Sequence, residues 1–208
     1  MSDQRSATRP RLRGEERRAM ILQSAKRVFA RSSYAEATTS ELARASEVTE
    51  PLLYKHFGSK KGLFVAVLTQ CGAQFRDTLQ ERLVHRAEKD SLNALAHVVD
   101  EYRAATYADP ETQRILFQAV NESSDPEIAR CISGHNRAVF DLIRQLAERA
   151  CQDGYLDPAV SSDGAAWGYM SMLLALQYSL MLNLLGDVAS VQEEVSRVWL
   201  RGLRAGAR

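Results

Sequence analysis

The chain has 208 residues, 45% of them hydrophobic, and a net charge of only +1. This apolar content is enough for a packed core and excludes a wholly disordered chain. The charge is unevenly distributed, because residues 1–61 contain 13 Lys and Arg against 7 Asp and Glu, a net charge of +6, whereas the rest of the chain has a net charge of −5. A basic segment joined to an acidic body predicts that the N-terminal part binds a polyanion.

The spacing of apolar residues, with only five prolines and many Ala, Leu, Arg, Glu and Gln, predicts an all-α fold. The arginine-rich segment 1–14 has no apolar period, so we expect a flexible arm. Asp-Pro, Asp-Gly and Gly-Asp pairs separate the later helices. We predict about nine helices: 15–31, two short ones ending near 46 and 57, a long one from about 60 to 88, and five more at 91–108, 110–121, 126–152, 159–186 and 190–205.

The two short helices and the tight turn between them form a helix-turn-helix pattern behind the first helix. Thr38 or Thr39 can cap the first short helix, and Thr49 can cap the second. An early Pro51 is tolerated there because the first-turn amides of a helix lack helical partners. Ser59 is the expected cap of the long fourth helix.

In a helix-turn-helix motif the later helix enters the major groove of DNA. Here that helix, TEPLLYKHF, combines apolar anchors with Tyr54, Lys55 and His56, which can donate hydrogen bonds to phosphates and bases. Lys60 and Lys61 lie at the start of the next helix, where backbone amides already favour a phosphate. The arginine-rich arm can add contacts in an adjacent groove. These features predict a double-stranded DNA-binding domain.

The stretch MILQSAKRVFARSSYAEATTSELARASEVTEPLLYKHFGSKKGLFVAVL, about a quarter of the chain, resembles the N-terminal domain of TetR-family regulators in order and spacing. The positions that carry the resemblance are Phe29, Tyr34, Thr38, Thr39, Leu42, Ala43, Val48, Thr49, Leu53, Tyr54, His56, Phe57, Lys60 and Leu63. The resemblance implies DNA contacts from Thr39, Ser40, Thr49, Glu50, Pro51, Leu52, Tyr54, Lys55, His56 and Lys60.

Each DNA role has a structural alternative. Tyr54 can instead pack against the first helix, Thr39 and Thr49 can be caps only, and Leu53 is expected in the core. The sequence departs from the family pattern at Ser33 and Glu47, where Gly is usual, and at Pro51-Leu52, where Gly-Thr is usual. Glu47 must adopt whatever backbone angle that Gly would have taken, with strain if the angle is left-handed.

The resemblance further implies an arm at 1–14, a DNA-binding domain at 15–62, and a helical body at 63–208 that binds a ligand and dimerises. Aromatic and sulfur-containing side chains of this body are candidates for an apolar cavity with polar tips, suited to a hydrophobic effector, although plain core packing is the alternative for each. These candidates are Tyr102, Tyr107, Phe117, Phe140, Trp167, Tyr169, Met170 and Tyr178.

The last two helices carry more apolar residues than one chain can bury, which predicts a four-helix homodimer interface and hence a near-palindromic operator. The interface candidates are Leu173, Leu174, Leu180, Leu184, Val191, Val195, Val198, Trp199 and Leu203.

Residues 164–186 are uncharged and long enough to span a bilayer, but acidic flanks and interrupting polar residues favour a helix packed within the protein and against a partner. We therefore expect no membrane partner.

The remaining signals argue against other classes of protein. The three cysteines lack a CxxC pattern, and no secretory signal precedes the fold, so we expect reduced cytosolic thiols. The resemblance implies a nucleoid-associated protein of the prokaryotic cytosol. Cys131 with His135, and His97 with Asp100 and Glu101, supply too few ligands for a metal site. No phosphate loop, nucleophile elbow or cofactor motif is present, so we predict no enzyme and no cofactor.

Taken together, these patterns predict a sequence-specific DNA-binding regulator of transcription. The resemblance implies that it is a repressor that a small molecule releases from its operator. The alternative is a helical protein that binds DNA without sequence preference and without ligand control. A steep salt dependence with no preferred duplex would favour that alternative.

Overall fold

The computed structural model describes residues 14–182 and 188–204, which form α-helices and no β-strand. The all-α prediction is therefore confirmed for this part of the chain. The chain divides into two compact units, Met1–Val67 and Leu68–Arg208, and the division falls within the fourth helix. The helices are α1 (Gly14–Arg31), α2 (Thr39–Ala45), α3 (Glu50–Phe57), α4 (Lys60–Ala87), α5 (Ser91–Ala96), α6 (Val98–Ala108), α7 (Pro110–Asn121), α8 (Pro126–Gln152), α9 (Ser162–Leu182) and α10 (Val188–Leu203).

The described residues thus hold ten helices where nine were predicted, because the helix expected at 91–108 is broken at His97. The amide of His97 donates to the carbonyl of Ala94, three residues back, and the His97 backbone leaves the helical region at φ −109° and ψ 9°. The His97 ring also bonds the carbonyl of Asn93 through Nδ1 at 2.8 Å. A tightened turn of this kind ends one helix and starts the next.

Local side-chain caps explain where several other helices begin. Thr38 Oγ1 accepts from the amide of Glu41 at 3.1 Å, and Ser59 Oγ accepts from the amide of Gly62 at 2.9 Å. Both capping predictions are confirmed. Thr49 occupies the N-cap position of α3, as predicted, although its side chain makes no capping hydrogen bond.

The start of α9 also differs from the expected residue 159. Asp157 accepts from the amide of Ala159 at 2.9 Å and so holds a turn, and the hydroxyl of Ser161 then accepts from the amide of Gly164 at 3.0 Å. The helix therefore begins at Ser162. Of the predicted arm at 1–14, residues 1–13 lie outside the described residues, and Gly14 is the first residue of α1. The predicted end of α9 at 186 falls within 183–187, which also lie outside them.

The core of the N-terminal unit is an aromatic cluster surrounded by aliphatic side chains. The rings of Phe29 and Phe64 meet edge to face with centroids 5.0 Å apart, and the ring of Tyr34 lies 4.6 Å from that of Phe64. The aliphatic residues, all fully buried or nearly so, are Ile21, Ala25, Val28, Leu42, Ala43, Leu53, Leu63 and Val67. One apolar side of each helix in this unit is thereby removed from water.

In the C-terminal unit the most extensive packing is between α8 and α9, and α10 lies against α9. Gly168 of α9 is required for that second contact, because a Cβ there would lie 2.0 Å from Cζ2 of Trp199. A short antiparallel bridge joins Leu156 to Arg204 and ties the α8–α9 connection to the end of α10. Within residues 14–182 and 188–204, no helix is sufficiently long and apolar to cross a membrane.

The turn between α2 and α3 contains a left-handed residue that is not glycine. The amide of Val48 donates to the carbonyl of Ala43 at 3.0 Å, and Glu47 between them has φ +52°. The expectation that Glu47 takes a glycine-like angle is therefore confirmed. A side chain with a Cβ is strained in this region, whereas glycine is not.

Replacing Glu47 by glycine is expected to stabilise the protein. Relief of the left-handed strain should raise the free energy of unfolding by about 0.5–1 kcal/mol, measured by urea unfolding, since the extra freedom of an unfolded glycine offsets part of the gain. The control is Glu47→Ala, which also removes the carboxylate but keeps the strained Cβ. Equal effects of the two substitutions would show that the backbone angle is not the cause.

Candidate nucleic-acid interface and ligand cavities

Helix α3 has one buried side and one exposed side. Leu53 is fully buried, in agreement with its predicted place in the core. Pro51, Tyr54 and Lys55 are exposed, and the neighbouring Glu50, Leu52 and His56 are half-buried. A helix that packs on one side and offers polar groups on the other has the form required of a groove-reading helix.

A hydrogen bond connects the exposed side of α3 with the beginning of α2. The hydroxyl of Tyr54 donates to Oγ1 of Thr39 at 3.2 Å, while 41% of the tyrosine remains exposed. Thr38, rather than Thr39, caps α2. The Thr39 hydroxyl is therefore a partner of Tyr54, and the bond sets where the tyrosine ring lies on the surface.

The positive charges around α3 differ in how far they are already engaged. Lys55 is exposed, as are Ser40 and Thr49. Lys60 is half-buried, its Nζ donates to the carbonyl of Ala35 at 3.3 Å, and it lies 4.8 Å from the centre of the Tyr34 ring. Contact with a phosphate would require Lys60 to leave or share these partners.

Arg44 is a further cation that the predicted set omitted. It is exposed on α2 four residues after Ser40, so the two side chains lie on the same face of that helix. The four-residue spacing was visible in the sequence. The spacing indicates a candidate pair of DNA-binding residues only when the structure shows that α2 exposes that face.

The predicted effector-binding residues do not form a single site. Phe140, Trp167 and Met170 line a cavity of about 480 Å³ between α8 and α9, together with Asn136, Arg137, Asp163 and Gly164. The Phe140 and Trp167 rings meet edge to face, 6.1 Å apart. Trp167 is 65% exposed, so this cavity is an open, mostly apolar depression.

A second cavity, of about 460 Å³, is formed by α6, α7 and α9, and we call it the α6/α7/α9 cavity. It is lined by Thr106, Tyr107, Pro110, Gln113, Arg114, Phe117, Gln118, Gln177 and Leu180. Two of the predicted residues, Tyr107 and Phe117, are in this lining. Tyr178 is not in the lining, but its ring meets that of Phe117 edge to face with centroids 5.9 Å apart.

The two other predicted residues, Tyr102 and Tyr169, are core residues. Tyr102 packs edge to face on Phe75, and burial raises the pKa of its hydroxyl to about 12. Tyr169 is 1% exposed, and burial raises its pKa as well. Both phenols therefore stay neutral at physiological pH. For these two residues the core-packing alternative holds.

Some of the apolar residues of the last two helices that were predicted to form a dimer interface are instead packed within one chain. Leu173 and Leu203 are buried in the core, and Trp199 packs on Gly168, so these three do not belong to an outer face. Leu180 is half-buried, and Leu184 lies outside the described residues. The side chains that do form an exposed apolar stripe, each 40–65% exposed, are Trp167, Leu174, Tyr178, Leu182, Val191, Val195 and Val198.

The two groups considered as metal ligands have other partners. His135 is half-buried and packs against Gly72 and Phe75, and desolvation there lowers its pKa. Burial acts to raise the pKa of Glu101, but hydrogen bonds from Arg86 and Arg82 at 2.6 and 3.2 Å hold it below its usual range. Among the residues described, no cluster of three or more metal-ligating side chains occurs.

Comparison with known proteins agrees with this arrangement. Residues 21–67 match the model of the family described as bacterial regulatory proteins, tetR family. The transcriptional repressor AcnR of Corynebacterium efficiens is 34% identical over 141 residues, which cover 66% of this chain and 67% of AcnR. The transcriptional activator FasR of Mycolicibacterium smegmatis is 24% identical over 194 residues, 93% of this chain and 77% of FasR.

Solved structures share the same fold over nearly the whole chain. A TetR-family regulator from Mesorhizobium loti superposes with a TM-score of 0.76 at 16% identity and covers 91% of this chain and 96% of its own. NalD, the secondary repressor of the MexAB-OprM efflux pump in Pseudomonas aeruginosa, gives a TM-score of 0.68 at 23% identity over 92% and 98% of the two chains.

The helix-turn-helix unit and the helical body define a DNA-binding transcriptional regulator rather than an enzyme. The chain belongs to the TetR family, whose members bind DNA and small-molecule ligands and act as dimers.

Replacing Lys55 by alanine is expected to weaken DNA binding with little dependence on sequence. Loss of one phosphate contact should reduce the slope of log affinity against log salt by about 0.9 and lower affinity about tenfold near physiological salt. Fluorescence anisotropy at several salt concentrations measures both quantities. Lys89→Ala, which removes an exposed lysine from the other unit, is the control, and an equal loss there would contradict the assignment of Lys55.

Proposed function

We propose that this regulator is a homodimeric repressor that binds a near-palindromic operator and is released when a small molecule occupies the α6/α7/α9 cavity. The observation that carries the proposal is a cavity of about 460 Å³, with aromatic walls and polar groups, in the body of a chain that has a helix-turn-helix unit. This volume is in the range of sites for drug-sized molecules. Repression is supported by the 34% identity to a relative named as a repressor.

The α6/α7/α9 cavity suits an effector better than the cavity beside Trp167. Its lining mixes Tyr107 and Phe117 with three glutamines, so it offers both apolar area and directional hydrogen bonds. The α8/α9 cavity exposes mainly apolar surface, although Asn136, Arg137 and Asp163 border it, and it contains Trp167, which is also a member of the exposed stripe on α9. A depression on that stripe suits contact with a second protein surface.

Release of DNA by an effector is a matter of differential affinity. A ligand that bound the DNA-competent and DNA-free conformations equally would shift nothing, however tightly it bound. The effector must therefore fit the α6/α7/α9 cavity better in the conformation with low DNA affinity. To change the population from mostly competent to mostly incompetent requires a preference of about 10⁴.

The homodimer is proposed to form through the exposed apolar stripe of α9 and α10. Its members recur at spacings of three, four and seven residues, which places them along one side of each helix. Seven large apolar side chains on adjoining helices make a patch that an isolated chain would leave in water. Two-fold pairing buries the same patch on both chains and sets two recognition helices against two operator half-sites.

A charge placed in this stripe is expected to separate the subunits. Val198 is 63% exposed on α10, and Val198→Asp would bury a carboxylate in the interface, so light scattering should show a monomer at concentrations where the wild type is dimeric. Val84→Asp, at a valine 42% exposed on α4, is the matched control and should remain dimeric. A dimeric Val198→Asp protein would place the interface elsewhere.

The same substitution in each cavity tests which one controls DNA binding. In Phe117→Trp a larger ring occupies the α6/α7/α9 cavity, and in Phe140→Trp it occupies the α8/α9 cavity. The fluorescence anisotropy of a labelled duplex from the protein's own upstream region would report operator binding in the presence of nonspecific competitor DNA. A library of aromatic metabolites would be screened in the same assay for compounds that release the duplex. We expect Phe117→Trp to keep operator binding and lose release by the library compound that releases the wild type, and Phe140→Trp to keep both.

If Phe140→Trp lost release and Phe117→Trp kept it, the effector would be assigned to the α8/α9 cavity. Weak, salt-sensitive binding to every duplex would instead favour the nonspecific DNA-binding protein. Transcription of the upstream promoter in vitro, with and without protein, distinguishes a repressor from an activator. Repressed transcription that recovers on addition of the releasing compound is the expected result.

A further inference from the structure

Among the described residues that line the α6/α7/α9 cavity, the one charged side chain is an arginine, Arg114. The other polar side chains described in this lining are Gln113, Gln118, Gln177, Thr106 and Tyr107, and none of these is a carboxylate. A cation entering this cavity would lose hydration without gaining a counter-charge. The lining therefore favours a neutral or an anionic ligand over a cationic one.

Arg114 has no ion-pair partner in the part of the chain that the structure describes. It lies exposed at the edge of the cavity on α7. By contrast, Arg82, Arg86, Arg103 and Arg144 of the same unit are each bound to a carboxylate. A guanidinium presents a planar set of donors that matches a carboxylate in a bidentate geometry.

Gln113, one turn of α7 away from the aromatic wall formed by Phe117, is the second group that needs a partner. It lines the cavity, yet both the oxygen and the nitrogen of its side-chain amide are buried without a hydrogen-bond partner. Buried amides in native proteins are nearly always satisfied. An unsatisfied donor and acceptor in the wall of a cavity is accounted for by a ligand that supplies both partners.

We infer that the effector is an aromatic or alicyclic monocarboxylate with a second polar group, and this inference rests on the proposed function of the cavity. Its carboxylate pairs with Arg114 at the rim, its ring lies against Tyr107 and Phe117, and its second polar group bonds the amide of Gln113. A single rim arginine matches one negative charge. Cationic compounds of the same shape are disfavoured, because they would meet Arg114 and no acid among the described lining residues.

Three probes with one aromatic body and different charges test this directly. Naphthylacetate is the anion, naphthylacetamide is its neutral analogue, and naphthylethylamine is the cation. Calorimetric titration of the full chain should give naphthylacetate an affinity about fivefold higher than the amide, the increment expected of one exposed ion pair. The amine should bind most weakly of the three.

Two variants assign the preference to the two side chains. Arg114→Gln should bind naphthylacetate and naphthylacetamide equally, because the counter-charge is gone. Gln113→Leu, which replaces the amide by an apolar group of similar volume, should keep the preference for the acid. It should also lose the extra affinity that the wild type is expected to show for a hydroxyl-bearing naphthylacetate over naphthylacetate itself, because the hydroxyl is the second polar group that Gln113 would bind. Arg149→Gln, at an exposed arginine on α8 outside the cavity, is the matched control and should behave as wild type, with thermal unfolding confirming that each variant is folded.

These titrations test the inferred charge of the effector separately from the proposed function of the cavity. Equal binding of acid and amide by the wild type, tighter binding of the amine, no binding of the acid, or a preference that survives in Arg114→Gln would overturn the inference. If Phe117→Trp nevertheless abolishes release from the operator, the cavity is the effector site and only the assigned chemistry is wrong. If the acid preference depends on Arg114 but Phe117→Trp still responds, the anion site is real and does not control DNA binding.

Discussion

The geometry of the DNA-binding unit depends on the reversal of the chain between α2 and α3. In that turn the amide of Val48 reaches back to the carbonyl of Ala43, and Glu47 takes a left-handed backbone angle so that the bond can form. Once the turn is closed, burial of Leu53 determines the side of α3 that faces the core. The exposure of Tyr54 and Lys55 follows from that one orientation, since neighbouring positions on a helix point in different directions.

In the helical body, polar groups are better indicators of a ligand site than apolar residues. Leucines and alanines of α8 and α9 fill a continuous core, in which Tyr102 and Tyr169 are held neutral by burial. The side-chain amide of Gln113 is buried at the edge of that core without a partner. A group that packing alone leaves unsatisfied is a stronger indication of a ligand than an aromatic residue, which cores use freely.

Periodicity and end signals predicted most of the helices and the cap positions Thr38, Thr49 and Ser59, although Thr49 makes no capping hydrogen bond. The prediction failed at His97, where no Gly or Pro indicates the break between α5 and α6, and at Ser162, where an Asp157-centred turn delays the start of α9.

The predicted effector residues were chosen as aromatic or sulfur-containing side chains. Composition cannot tell whether such a side chain lines a cavity, as Phe117 does, or fills the core, as Tyr169 does.

The sequence by itself determined the all-α class, the helix-turn-helix unit and the family, because helical periods, caps and the spaced motif of residues 20–68 are local properties. Tertiary structure alone decided which side chains lie together. It placed the Tyr54 hydroxyl on Thr39, divided the predicted pocket into two cavities, and buried Leu173, Leu203 and much of Trp199 within one chain. These outcomes depend on contacts between residues far apart in the chain, which no local pattern records.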